Sequence, residues 1–314
     1  MYQTILKDFD IRMLMDSGQV FRIAPCGEDC YTVTAGDHFV CLRCAGQSSR
    51  DTGCGKNEVF AEFSCTEEEF LSFWHDYFDL SLDYGAIKET VDPEDAFLQA
   101  AIAYGSGIRI LRQDLWETII SFLISQNNNI TRIRRSIEAL CAKFGEKLDT
   151  GGHFLSFPED RPFTGASFYS FPTPEAIAAS GLEGLQDLGL GYRDKYILAM
   201  AKRCSGPAGR EFRASLKQAD YEGAQAILMG EFGIGRKVAD CICLFGLHHI
   251  GAFPVDTHMK QILASFYPDG FPFSRYEGFA GIIQQYMFYY KLSLPASGAG
   301  KKTGKQRTAK KKAG

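Results

Sequence analysis

Tryptophan and histidine are scarce in this chain, with two and six copies among 314 residues. Long apolar runs are missing: the stretch 241–247 falls far short of the ~20 residues that a membrane helix needs, which excludes a span. The first residues, with Met1, Tyr2, Lys7, Asp8 and Asp10, lack the basic start and apolar run of an export signal. An intracellular protein is expected, in the cytoplasm or nucleoid of a prokaryote or the nucleus of a eukaryote. Acidic residues are absent from positions 296–314, where seven Lys and Arg stand. Residues 1–295 therefore carry 27 basic against 38 acidic side chains, a net charge of −11. Bulk charge marks only the tail, not the body, as a nucleic-acid binder, although a few local contacts suffice to hold a phosphate backbone. Aromatic residues are plentiful. With 25 Phe and 14 Tyr, a chain that is mainly disordered is excluded, and the length fits two or three packed domains.

Ten cysteines occur, and without an export signal reduced thiols are the default. Cys26, Cys30, Cys41 and Cys44 fall where a zinc site could form. A hairpin turning at Gly36 and Asp37 would set Cys30 near Cys44. Free thiols on a small sheet are the favoured reading.

Short β-branched and aromatic runs predict strands at 20–23, 31–34, 39–42 and 59–63, with a polar loop at 47–58 before the last. Thr66, with Glu69 three residues on, predicts a capping box opening a helix over 67–78. From about residue 93 the periodicity turns helical. Two amphipathic helices flank the polar run 125–129, and a Gly/Pro/Phe-rich loop covers 150–172. Thr173 and Pro174 open another helix. Further helices are expected at 192–203, 220–230, 236–247, 257–266 and 277–291. The fold class is α+β: an N-terminal antiparallel twisted sheet domain over 1–92 and a mostly helical domain over 93–295. A basic low-complexity tail, expected to be disordered, covers 296–314.

The stretch 221–240 carries the most chemistry. An apolar helix stops at Gly230, Gly233-Ile234-Gly235 makes a tight turn, and a second helix begins at once. Glycines allow close backbone approach, and a helix start offers free N–H groups to a phosphate. Lys237 lies in the first turn of the second helix among apolar neighbours, with Cys241 one turn on. An amine that is half desolvated at a positive helix end should lose its proton readily and act as a nucleophile. The bland alternative is a surface lysine with a buried stem. Asp256, in Pro254-Val255-Asp256-Thr257-His258, opens another helix, where a capping role competes with a catalytic one.

Together these segments resemble the 8-oxoguanine DNA glycosylase/AP lyase family of the helix-hairpin-helix glycosylase superfamily. Three more segments carry the resemblance: Ser17-Gly18-Gln19 followed by Phe21-Arg22, the run from Ser121 through Asn127-Asn128-Asn129 to Arg132, and Leu188-Gly189-Leu190-Gly191-Tyr192-Arg193. It spans about residues 10–291. It implies that Lys237 attacks the anomeric carbon and forms a Schiff base. Asp256 would stabilise the cationic sugar and help Lys237 lose its proton. Gly18 would offer its carbonyl to the N7 hydrogen that distinguishes 8-oxoguanine from guanine. Gln284 would read the pairing edge while Phe288 and Cys241 sandwich the flipped ring. Asn127 would fill the vacated stack, Arg132 and Arg193 would hold the orphaned cytosine, and Tyr192 would wedge beside it. His258 and the turn at Gly233 and Gly235 would contact phosphates. The implied partner is double-stranded DNA containing 8-oxoguanine, bound by a monomer without cofactor or catalytic metal. A monovalent cation on the hairpin carbonyls remains compatible with the pattern. The sequence departs from it at Glu231-Phe232, where Leu-Pro is usual.

Two alternatives stay open. One is another glycosylase of the superfamily; Lys237 argues against monofunctional members, and the absence of any cysteine after Cys243 argues against iron–sulfur members. The other is a non-catalytic DNA-binding module, which needs no pairing of Lys237 with Asp256. If the basic tail adds electrostatic affinity, deleting 296–314 will flatten the salt dependence of DNA binding, and an unchanged slope refutes that role.

Overall fold

The computed structural model describes residues 1–45, 57–150 and 167–294. Most of the polar loop 47–58, most of the loop 150–172, Cys54 and the basic tail lie outside the described residues. A five-stranded antiparallel sheet comprises β1 (Tyr2–Lys7), β2 (Ile23–Gly27), β3 (Cys30–Ala35), β4 (His38–Ala45) and β5 (Glu58–Phe63), in the order β1-β5-β4-β3-β2. Period-two alternation puts Val59, Ala61 and Phe63 of β5 on the buried face. They pack with Val33, Val40, Leu42, Trp74 and Phe78 into a core of their own. A second, larger core belongs to the helices, among them Leu115–Ser125, Asp194–Cys204, Arg236–Gly246 and Ala280–Ser293. The α+β architecture therefore stands as expected. Among the described residues no helix is long and apolar enough to cross a membrane.

Local details depart from the sequence reading. Strand β1 went unforeseen, because Tyr2–Lys7 lacks a flanking turn signal and becomes a strand through pairing with β5. The strand expected at 20–23 starts only at Ile23: Val20 enters the sheet core, Phe21 the helical core, and Arg22 bonds Glu138. Thr66 does cap its helix, accepting from the Glu69 amide at 3.1 Å. The Glu69 carboxylate accepts from the Trp74 indole instead of returning to the cap, so the box is half formed. Residues 70–74 then form a π turn rather than a regular helix. A helix at Gly206–Gln218 was also missed, its start hidden by Gly206 and Pro207. The register sets Cys30 opposite Arg43, one residue from Cys44. The thiols that meet are Cys26 and Cys30, 2.9 Å apart. Among the described residues no cluster of three or more His, Cys, Asp or Glu could hold a metal ion.

Polar contacts, not only apolar ones, seal the sheet to the helices. Buried Gln19 donates to Arg109 O at 2.9 Å, and its oxygen accepts from Leu111 N at 2.9 Å. Buried Arg22 lies 3.9 Å from Glu117, which also accepts from Gly36 N at 2.9 Å. Burial pushes the Glu117 carboxyl from 4.5 up to about 7, against the attraction of Arg22. The folded chain thus binds more protons than the unfolded one between those values. The stability that Glu117 contributes is complete below about pH 4.5 and is lost as pH rises through 7. We predict that Glu117→Gln flattens the fall in melting temperature between about pH 5 and 7.5, removing up to about 3 kcal/mol of pH dependence. An unaltered melting profile would overturn that assignment.

Candidate active site

The helices Tyr221–Met229 and Arg236–Gly246 pack side by side, tied by Tyr221 Oη donating to Asp240 at 2.7 Å. Between them Gly233 has φ +88°, and a Cβ there would meet the Tyr196 ring at 2.4 Å. Only glycine satisfies both constraints. Ile234 plugs the turn into the core. Gly235 is different: a Cβ would meet nothing within 4 Å, and it caps the second helix without a side chain. The first N–H groups of that helix are left to an outside acceptor. Glu231, the unfavourable departure in the turn, is paired with Arg203 at 2.9 Å.

Lys237 begins its helix half-buried, its amine 5.5 Å from the centre of the Phe122 ring and coupled electrostatically to Cys241. The expectation of an easily deprotonated lysine is corrected. Its pKa is raised: Cys241 acts most strongly, burial opposes it, and Asp256 adds an upward pull. Burial in turn pushes the Cys241 thiol up, with Lys237 pulling the other way. The positive helix end and desolvation are thus outweighed by two acidic neighbours. Asp256 caps Thr257–Phe266, accepting from Met259 N at 2.8 Å through one oxygen. Capping engages that oxygen and leaves the second one to another partner.

Gly18, Phe288 and His258, three further sequence candidates, lie together. Gly18, at φ +77°, approaches so closely that a Cβ would touch the Phe288 ring at 3.5 Å. Phe288 meets exposed His258 edge to face, with centroids 6.1 Å apart. Gln284, buried, donates to the Pro254 carbonyl at 3.1 Å. Neighbouring residues of the Ser17-Gly18-Gln19 segment anchor Gly18: Ser17 Oγ donates to Leu14 O, and Gln19 Nε2 donates to Ser17 Oγ.

A second group lies at the rim. Asn127, at φ +46°, donates to Tyr192 Oη at 3.4 Å. Tyr192 is half exposed and lies 4.6 Å from the Arg193 guanidinium. Arg193 itself is buried and donates to the carbonyls of Gln126, Asn127 and Leu190. Few of its donors are free, so it braces the Asn run from beneath. Arg132 stands exposed, its guanidinium without a hydrogen bond or ion pair among the described residues. Sequence reasoning missed Gln126, whose amide donates to Gly233 O at 3.0 Å and joins the Asn run to the glycine turn. Its place directly before Asn127 was the available signal. Tyr196 and Phe122 carried none, being ordinary aromatic residues of helix faces.

Known proteins resemble this chain along most of its length. The model of the 8-oxoguanine DNA glycosylase N-terminal domain matches residues 2–119, and that of HhH-GPD superfamily base excision DNA repair proteins matches 120–269. An N-glycosylase/DNA lyase of Saccharomyces cerevisiae is 40% identical over 165 residues, covering 50% of this chain and 41% of the yeast protein. A structure of MBOgg1 in complex with low affinity DNA ligand superposes with TM-score 0.77 at 32% identity, over 92% of this chain and 95% of that one. The 8-oxoguanine glycosylase/lyase of Clostridium acetobutylicum, in complex with DNA containing cytosine opposite 8-oxoG, gives TM-score 0.76 at 30% identity, over 92% and 94%. The chain spans 41 to 66% of the length of the curated relatives it matches.

The two glycines of the turn are separable by mutation. Gly233→Ala should destabilise the fold by roughly 1–3 kcal/mol through its φ and the Tyr196 clash. Gly235→Ala should leave the melting temperature nearly unchanged while weakening any backbone-phosphate contact at the helix start. Equal losses of stability in both variants would contradict this division.

Proposed function

This chain belongs to the 8-oxoguanine DNA glycosylase/AP lyase family, and on that premise we propose that it excises 8-oxoguanine opposite cytosine and nicks the strand through a lysine Schiff base. The observation that carries the reading is the half-buried Lys237 amine, over the Phe122 ring and within electrostatic reach of Cys241 and Asp256, at the start of the hairpin's second helix. Coupled titratable groups of this kind cluster at functional sites.

The duplex base must first leave the stack, at a cost of a few kcal/mol. Asn127 and Tyr192 occupy the gap, Arg132 reaches for the orphaned cytosine, and Arg193 keeps the Asn run in place. The free N–H groups after Gly235 and the imidazole of His258 hold backbone phosphates. Phe288 and Cys241 flank the extruded ring, Gln284 meets its pairing edge, and the Gly18 carbonyl accepts the N7 hydrogen. Guanine lacks that hydrogen and would leave the carbonyl buried and unpaired, which favours the oxidised base.

Lys237 rests as an ammonium, so its proton must leave before attack. The departing base nitrogen needs one proton, and the exchange balances. The amine then bonds to the anomeric carbon as the glycosidic electrons leave with the base. The Asp256 carboxylate offsets the positive charge that develops on the sugar. Ring opening gives an imine, from which loss of a C2′ proton expels the 3′ phosphate. The protein works as a monomer without a cofactor. Glu231 O already accepts from Ile234 N and Gly233 O from Gln126. A monovalent cation on the turn therefore depends on the remaining carbonyls, and no step above requires it.

Borohydride trapping on a duplex with 8-oxoguanine opposite cytosine tests the reading. A covalent adduct is expected with the wild type and none with Lys237→Gln. Excision without an adduct would make water the nucleophile. Neither adduct nor excision would overturn the assignment.

A further inference from the structure

Next to the base-reading glutamine stands a second one. Gln285 is buried at 4% exposure, and its amide donates to Gln284 Oε1 at 3.1 Å. Its own oxygen has no hydrogen-bond partner among the described residues. A buried amide that leaves its acceptor unpaired disfavours folding, so packing does not explain the residue; a leucine would serve better. The bond it does make therefore calls for a role.

The two bonds on Gln284 fix which way round its amide stands. The Pro254 carbonyl can only accept, which commits Gln284 Nε2 to that side at 3.1 Å. The Gln285 N–H can only donate, which commits Gln284 Oε1 to the other. One N–H and one oxygen lone pair of Gln284 remain, in a set order. That order suits a purine edge offering a carbonyl acceptor beside a ring N–H donor, as guanine-type bases do. We propose that Gln285 is a positioning residue that sets the polarity of the Gln284 amide and thereby tunes the enzyme to guanine-derived lesions. The proposal rests on Gln284 reading the base, as argued above.

The test compares Gln285→Leu, Gln285→Met, Gln284→Ala and the double variant Gln284→Ala/Gln285→Leu. Single-turnover excision of 8-oxoguanine opposite cytosine is measured beside nicking of a preformed abasic site, which presents no base to read. Losing Gln285 should slow excision about tenfold, leave abasic nicking within about twofold, and not lower the melting temperature. In the double variant, excision should be no slower than in Gln284→Ala, because Gln285 acts through Gln284. Equal losses on both substrates, a lower melting temperature in both the Leu and Met variants, or additive effects in the double variant would make Gln285 structural and overturn the proposal. Unchanged excision in the Gln285 variants with a slowed Gln284→Ala would overturn it while sparing the role of Gln284. Unchanged excision in Gln284→Ala would refute the base-reading role itself.

Discussion

Close approach of backbone to side chain at Gly233 is the constraint on which the site depends. The turn lies flat against the Tyr196 ring, where no Cβ fits, and Ile234 holds it down from within. From that fixed corner the next helix leaves in one direction only. Its first N–H groups stay uncovered, and Lys237 falls on its inner side. Gln126 grips the Gly233 carbonyl, so the Asn run that follows it is referenced to the same point. Errors of an ångström at such a centre cost orders of magnitude in rate, which gives a rigid turn its value.

A chain whose body carries excess negative charge can still offer a duplex a surface of the opposite character. The acidic residue nearest the turn, Glu231, is neutralised by Arg203. What faces outward is a set of backbone N–H groups, the free guanidinium of Arg132 and the His258 imidazole. Positioning by a few local dipoles and cations needs no basic face. The same economy governs Lys237. Cys241 and Asp256 favour its charged form, and burial opposes them.

The sheet and helical parts act as one body because their junction is polar and specific. Gln19 and Arg22 closely follow Gly18 in sequence and bond across to the helical part, so the Gly18 carbonyl is positioned by the seam between two cores. A purely apolar seam could slide. Directional bonds from buried Gln19 and Arg22 fix its register, and the price appears as the perturbed Glu117 carboxyl.

The sequence by itself determined the α+β order, the glycine turn with its lysine and the capping role of Asp256. Those features rest on local signals: periodicity, helix caps and glycines at fixed spacing. Tertiary structure alone decided the remainder. Strand β1 exists because β5 lies beside it, and residues 20–22 leave the sheet because two cores compete for them. The protonation of Lys237 ran opposite to its local environment, since charges one helical turn away and on another helix outweigh desolvation. Arg193 turned inward because three carbonyls converge on it. Gln126 and Gln285 looked like unremarkable polar residues, because a hydrogen bond to a distant carbonyl or a neighbouring amide leaves no periodic trace. Such contacts depend on where the chain folds back on itself, and spacing along a sequence does not encode that.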